Sequence, residues 1–277
     1  MSGLLAVEDL RVAFDTPAGR VEAVRGISFG LGRERLGIVG ESGSGKTMTG
    51  RAILRLVEPP GRVTARRLDF DGQDLLRLPE RQMRALRGRR LAMVMQDPKY
   101  SLNPVMTVGR QLTEGLRRRE RLSRGEATAR AVAMLEAVQI RDPERVLRAY
   151  PHELSGGMRQ RVMIAMMLIP EPDLLIADEL TSALDVTVEA EVLGILDALV
   201  RERGLGLIFI SHDLPLVARF CDRVLVMYAG RIVEELAAAE LGRASHPYTR
   251  GLLGCLPSVG GPRRPLPTLR RDPAWAE

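Results

Sequence analysis

Two glycine-rich turns carry the chemistry that can be read directly from this chain. The first, Gly40-Glu41-Ser42-Gly43-Ser44-Gly45-Lys46-Thr47, fits the P-loop pattern at every fixed position. Its glycines let backbone N–H groups turn inward around a phosphate, and a helix beginning there adds its positive dipole end. Lys46 is placed to reach the β- and γ-phosphates of a nucleotide, and the Thr47 hydroxyl to hold Mg²⁺. Met48 opens the helix and completes the binding set. Of 41 Lys and Arg only Lys46 and Lys99 are lysines, leaving 39 arginines. Lysine therefore stands where a compact ammonium suits a phosphate better than a planar fork. The second turn is Leu154-Ser155-Gly156-Gly157-Met158. Ser155 is a good N-cap, and Gly156 and Gly157 offer backbone N–H groups at the start of a helix predicted from about Met158 to Leu168. That makes an anion site without a lysine. Taken alone, Ser-Gly-Gly before a helix is an ordinary turn.

These groups need strands and helices to position them. Leu36-Gly37-Ile38-Val39 is a short apolar run suited to a buried strand ahead of the P-loop, and Met48 to Val57 has helical spacing before a Pro59-Pro60 stop. Leu174-Leu175-Ile176-Ala177 lacks alternation, as a strand covered on both faces does, and ends in Asp178-Glu179. Two adjacent carboxylates at a strand end point to opposite sides and cannot share one task. Asp178 can anchor Mg²⁺ through water, and Glu179 can face the γ-phosphate and polarise an attacking water. A third run, Leu205 to Ile210, leads into Ser211-His212-Asp213, and a fourth, Met93-Val94-Met95, ends at Gln96. A strand-end histidine is more often structural than catalytic, and Gln96 by itself is unremarkable.

A P-loop followed at this distance by a separate Leu-Ser-Gly-Gly turn resembles the ATP-binding subunit of ABC transporters. In that family two ATPases work as a pair, each completing the other's site. The resemblance implies an α/β fold: a RecA-like P-loop ATPase core with an antiparallel β layer and an inserted helical subdomain. It implies ATP and Mg²⁺ as cofactors, and Ser155, Gly156 and Gly157 as the surface that meets the partner's ATP. Thr181-Ser182-Ala183-Leu184-Asp185 resembles the D-loop. His212 resembles the switch histidine, and Gln96 the Q-loop glutamine that ligates Mg²⁺ when ATP is bound. The implied catalytic set is thus Lys46, Gln96, Glu179 and His212. Phe14 stands where the family places an aromatic against adenine; a core phenylalanine of a β-strand is an equal reading. Met158 departs from the usual glutamine, Leu180 from the proline that commonly follows the catalytic glutamate, and Arg33 from a frequent glycine. None of these removes a catalytic group.

Length and composition, 277 residues with 45% hydrophobic and 27% charged, are those of a globular chain. No apolar run approaches the ~20 residues needed to span a bilayer. Leu4-Leu5-Ala6-Val7 has no basic residue before it and Glu8-Asp9 after it, unlike a signal peptide. Two cysteines, Cys221 and Cys255, give neither a disulfide framework nor a paired metal motif, and only Cys255 lies in the C-terminal extension, where some members of the resembled family hold an iron–sulfur cluster through several cysteines. A net charge of +6 raises the question of nucleic acid, but no helix–turn–helix or RNP motif accompanies it. Runs such as Arg117-Arg118-Arg119 read instead as a solvated face that tolerates an anionic membrane. The expected place is the cytoplasmic face of the cell membrane, reached through a partner.

The predicted organisation is an ATPase domain over 1–236 and an extension over 237–277. Residues 1 to about 35 form a β layer, with Val7, Leu10, Val12, Phe14, Val21 and Val24 as its apolar positions. The helical subdomain is placed at about 97–165. The extension, rich in proline and arginine, is expected to be an extended, partly ordered tail.

Ser101-Leu102-Asn103-Pro104-Val105-Met106-Thr107-Val108, Tyr150-Pro151-His152-Glu153 and His246-Pro247-Tyr248-Thr249-Arg250-Gly251-Leu252-Leu253 resemble ATPase subunits of oligopeptide and dipeptide importers. The resemblance covers about residues 4 to 257. It implies two integral-membrane permeases, and a second related ATPase or a copy of this chain as dimer partner. An extracytoplasmic solute-binding protein is involved indirectly. Nickel or metal-chelate importer ATPases are a close alternative. A soluble ABC ATPase without a permease fits less well, since those typically carry two cassettes or a coiled-coil insertion.

Overall fold

The computed structural model describes residues 3–17, 19–94, 102–181, 186–256 and 272–276. The chain divides into two compact units, Met1–Pro79 with Gly206–Glu277, and Glu80–Leu205.

The first unit begins with two long antiparallel strands, β1 (Leu5–Thr16) and β2 (Gly19–Leu31). Leu5, Val7, Leu10 and Val12 of β1 are buried. The odd spacing between Val7 and Leu10 would turn one of them outward in a regular strand. A register shift absorbs it, with Asp9 between them at φ +50°. β3 (Arg35–Val39) follows, then α1 (Lys46–Ile53), and the β layer closes with β4 (Gly61–Thr64), β5 (Arg67–Phe70) and β6 (Gln73–Asp74). The order in that layer is β2-β1-β5-β6, with β4 also paired to β1. The α1 helix stops short of the predicted Val57. Arg55 turns left-handed at φ +52°, and its guanidinium donates to the carbonyls of Leu75 and Leu78 at 3.1 and 2.6 Å.

In the second unit α2 (Glu80–Leu86) precedes β7 (Leu91–Val94). Among the described residues four α-helices come next: α3 (Val108–Glu120), α4 (Arg124–Ala137), α5 (Pro143–Arg148) and α6 (Gly156–Leu168). Each starts at a residue suited to satisfy the free N–H groups of a first turn: Thr107, Ser123, Asp142 and Ser155. Ser123 and Glu126 form a reciprocal capping box. Leu112, Leu116, Ala127, Ala131, Leu135, Val146 and Val162 fill the space between these helices. β8 (Leu174–Asp178) runs parallel to β7, and α7 (Val186–Arg203) completes the unit.

The chain then returns to the first unit with β9 (Gly206–Ile210), α8 (Leu214–Phe220), β10 (Arg223–Tyr228) and β11 (Arg231–Ala237). β3 lies between β10 and β9, parallel to both, and β11 pairs antiparallel with β10. Leu36, Ile38 and Val39 are all buried, as the unbroken apolar run predicts. Gly37 between them admits α8: a Cβ there would lie 2.4 Å from Val217 Cγ1.

The stretch expected as an extended, partly ordered tail is ordered at its start. A 3-10 turn covers Ala238–Arg243, and α9 (Pro247–Gly254) buries Tyr248 completely. No helix among the described residues is long and apolar enough to cross a membrane.

Cys221, at the end of α8, has its thiol pushed up to about 12, chiefly by burial, with Arg35 opposing and Asp222 assisting. Because this lies above the ordinary 9.0, the thiol's contribution to stability is complete below about pH 9. It is lost as pH rises toward 12. Labelling with a disulfide reagent at pH 8 should therefore modify Cys255 in the folded protein and reach Cys221 only on unfolding.

Candidate functional site

The strand β3 delivers the chain to Gly40, and α1 takes it away at Lys46. Two glycines are required by what they touch. Gly40 has φ +152°, and a Cβ on it would lie 2.1 Å from the Met227 carbonyl oxygen of β10. Gly45, at φ +102°, leaves only 2.5 Å between such a Cβ and the Ala23 carbonyl of β2. The loop is thus wedged between the β layer and the parallel strands of its unit. The turn after β10 stitches the wedge: Gly230 N–H donates to the Ser44 carbonyl at 3.0 Å, and Arg25 N–H to the Gly230 carbonyl at 2.7 Å.

Inside the curl lies Lys46, 7% exposed. Its ammonium donates to the carbonyls of Gly40 and Glu41 at 2.7 and 2.9 Å. Burying an ammonium is tolerable only with such partners. The first turn of α1 carries no acidic residue to repel an anion, and Ser42 and Gly43 are exposed at the mouth. Thr47 and Met48 follow, both half-buried. A cradle of N–H groups, a helix N-terminus and a buried cation fit a nucleotide's phosphates.

His212 belongs to the same unit. Ile38 of β3 is opposite Ile210 of the parallel β9, so Gly40 and His212 leave the same edge of the sheet side by side. Ser211 N–H donates to the Ile38 carbonyl at 3.2 Å, and Asp213 caps α8, accepting from Leu216 N–H at 2.9 Å. Between these two fixed residues His212 is exposed. Phe14 is half-buried, and its ring sits against β4: a Cβ on Gly61 would be 2.7 Å from Phe14 Cε1. That contact is the strand-packing reading of this residue.

In the second unit Asp178 ends β8 and is 2% exposed. Glu179 is half-buried and turns left-handed at φ +49°. A non-glycine residue in that region carries strain of order 1 kcal/mol, which concentrates at functional positions. Leu180 and Thr181 then return to the interior. The Ser-Gly-Gly turn has the opposite character to the P-loop. Ser155 and Gly156 are exposed, and a Cβ on Gly156 would meet nothing within 4 Å. Leu154 anchors the turn in the core, and the Ser155 hydroxyl accepts from Met158 N–H at 3.3 Å. Beside it opens a groove of about 630 Å³ lined by Gln139, Asp142, Arg145, Ser155, Met158 and Arg161, among others. Arg161 donates to the Gln139 carbonyl at 3.0 Å and pairs with Glu191.

Gln96 and Ser182 to Asp185 lie outside the described residues. The sequence reading missed one group at the P-loop: the Glu41 N–H donates to the buried Tyr248 hydroxyl at 3.0 Å. Tyr248 stands in the His-Pro-Tyr-Thr stretch noted above only as a subfamily mark.

A strand, a glycine-rich curl around a buried lysine and a helix, on a parallel sheet, define a P-loop nucleotide-binding protein. The family profile described as ABC transporter matches residues 24–182, and this chain belongs to that family. The oligopeptide transport ATP-binding protein OppD of Bacillus subtilis is 49% identical over 259 residues, covering 92% of this chain and 72% of that protein. The dipeptide transport ATP-binding protein DppD of the same organism is 47% identical over 262 residues, 94% of this chain and 78% of that one. Among solved structures, the dimeric cassette MJ0796 in a post-hydrolysis state bound to ADP and Pi has a TM-score of 0.74 at 26% identity. It covers 84% of this chain and 98% of its own. The fold is accordingly that of an ABC nucleotide-binding domain, as the resemblance implied.

The wedge orders two otherwise similar substitutions. Gly43→Ala meets open space and incurs only the φ +81° strain, roughly 1 kcal/mol. Gly45→Ala adds a collision with the Ala23 carbonyl and should destabilise by clearly more, measured by urea denaturation.

Proposed function

We propose that this chain is the ATP-hydrolysing subunit of an ABC importer of di- or oligopeptides, acting at the cytoplasmic face of the cell membrane. The observation that carries the reading is the contrast between the two anion sites. The P-loop holds its own cation in a closed curl, whereas Ser155 and Gly156 lie exposed, with Gly157 half-buried behind them, beside a groove with Arg145 and Arg161 on its wall. An exposed N-cap turn of this kind suits a phosphate presented by a second ATPase, either a copy of this chain or a related one. The names of OppD and DppD, at 47–49% identity over more than nine-tenths of this chain, support peptides as the cargo class.

In this reading Lys46 exchanges its loop carbonyls for the β- and γ-phosphates of ATP, while N–H groups from Gly43 to Met48 cradle them. Thr47, Asp178 and Gln96 would hold Mg²⁺, which neutralises phosphate charge when bound. Glu179 orients and deprotonates the attacking water, and His212 holds the γ-phosphate side of that arrangement. Phe14 is assigned to adenine. Closure of the ATPase pair is passed to two permeases through the Gln96 to Thr107 segment, and an extracytoplasmic binding protein delivers the cargo. The organisation proposed is an ATPase domain over 1–236, its helical subdomain at about 97–165, and an extension over 237–277.

Two substitutions separate chemistry from binding. Glu179→Gln should retain ATP affinity and lose roughly 10²–10⁴-fold in turnover, the size of a general-base contribution. Lys46→Ala should weaken binding of a fluorescent ATP analogue itself. Turnover of Glu179→Gln within twofold of wild type would remove Glu179 from its role. The transport reading is tested by capturing tagged Glu179→Gln protein from native membranes with ATP and Mg²⁺. Two permeases and a second ATPase should accompany it; recovery with ribosomes or nucleic acid would replace the importer by a soluble ABC ATPase.

A further inference from the structure

The P-loop receives a support that neither the loop pattern nor the family profile, which ends at residue 182, includes. Tyr248 is fully buried, in a helix more than two hundred positions along the chain from the loop it touches. Its hydroxyl accepts the Glu41 N–H at 3.0 Å, at the second residue of the curl. Glu41 is also one of the two residues whose carbonyls hold the Lys46 ammonium, at 2.9 Å. One peptide unit earlier, Gly40 is pressed against the Met227 carbonyl. The bond to Tyr248 therefore fixes the direction of the backbone where the curl begins.

Tyr248 is itself held from several sides. The ring of Tyr228, the last residue of β10, lies 4.5 Å from it centre to centre. Trp275 lies 5.9 Å from it on another side and also contacts Tyr228 and His246, at 6.0 and 6.3 Å. Tyr248 N–H donates to His246 Nδ1 at 3.2 Å, fixing the first turn of α9. Glu234 of β11 binds the entry to that helix, accepting from Ser245 N–H and Oγ–H and from His246 N–H at 2.6, 2.9 and 3.1 Å. A buried tyrosine so constrained is a fixed post.

We propose that Tyr248 is a positioning residue for nucleotide binding: through the Glu41 N–H it holds the P-loop curl, and with it the Lys46 ammonium, in the phosphate-accepting shape. The C-terminal extension is then part of the nucleotide site's support. This rests on the ATPase reading above.

Tyr248→Phe tests it, because the ring and its packing stay and only the hydroxyl leaves. The dissociation constant for trinitrophenyl-ATP should rise roughly tenfold, the effect of about one hydrogen bond to a group left buried without it. KM for ATP should rise in step while kcat stays within twofold of wild type. Leu135→Ala, a core truncation in α4 of the other unit, serves as the control: it should lower the melting temperature and leave the dissociation constant unchanged. An unchanged constant in Tyr248→Phe overturns the proposal, as does an equal weakening in Leu135→Ala. Wild-type protein that fails to bind the analogue would overturn the ATPase reading itself, a result distinct from either. Should Tyr248→Phe not fold, amide exchange on the wild type decides: a slowly exchanging Glu41 amide without nucleotide supports the proposal, and a rapidly exchanging one overturns it.

Discussion

The constraint on which the nucleotide site depends is the burial of one ammonium inside a turn of backbone. Lys46 can occupy that place only because the carbonyls of Gly40 and Glu41 face it. The curl also needs φ values that only glycine adopts cheaply, and at Gly40 and Gly45 no side chain would fit in any case. The loop cannot hold this shape by itself. It is pressed on one side by the Met227 carbonyl and on another by that of Ala23, and it is tied through Ser44 to the turn after β10. The parallel strands and the antiparallel layer are thus the two jaws that keep a strained curl closed. A P-loop read from sequence is a list of eight residues; as a structure it includes β2, β10 and α9.

Where the signal is local, the sequence carried it well. Unbroken apolar runs mark strands covered on both faces, and Leu174 to Asp178 and Gly206 to Ile210 are such strands, fully buried. Capping residues marked helix starts, and Ser155 caps α6 in the way its hydroxyl and the following glycines suggested. Local signals failed where a distant contact decided the outcome. The α1 helix ends early because Arg55 finds carbonyl partners twenty residues on, which helical spacing cannot show. The proline- and arginine-rich extension is legible by composition only as an extended, partly ordered tail, without its helix. Tyr248, Leu241 and Ala238 give it an apolar face, and Glu234 supplies an acceptor for its helix start. The left-handed turn at Glu179 has no sequence signal at all.

The two anion sites illustrate how one physical element serves two tasks. Both are helix N-termini without an acidic residue in the first turn. At the P-loop, a cation is added and the backbone is enclosed, a setting suited to a multiply charged anion. At the second turn Ser155 and Gly156 are exposed, and the N-cap hydroxyl is occupied with Met158 N–H. Such a surface attracts an anion weakly and releases it readily.

The arginine excess has a place in the same scheme. The opposite edge of the P-loop sheet, where β3 and β10 begin, is tied by charge. Arg35 pairs with Asp222 at 2.6 Å, and Asp222 N–H donates to the Arg35 carbonyl at 2.8 Å. Arg223 reaches Glu34 at 2.8 Å and also pairs with Glu235. Exposed pairs of this type contribute only about 0–1 kcal/mol each. Planar guanidinium groups nevertheless fix direction well, since each can grip more than one acceptor. Anchored at that end, the strands present their other end with little freedom, and there the chain places glycines, a histidine and a lysine. The Lys46 ammonium at that edge is a compact charge on a flexible stem, holding two carbonyls one by one and not through a bidentate fork.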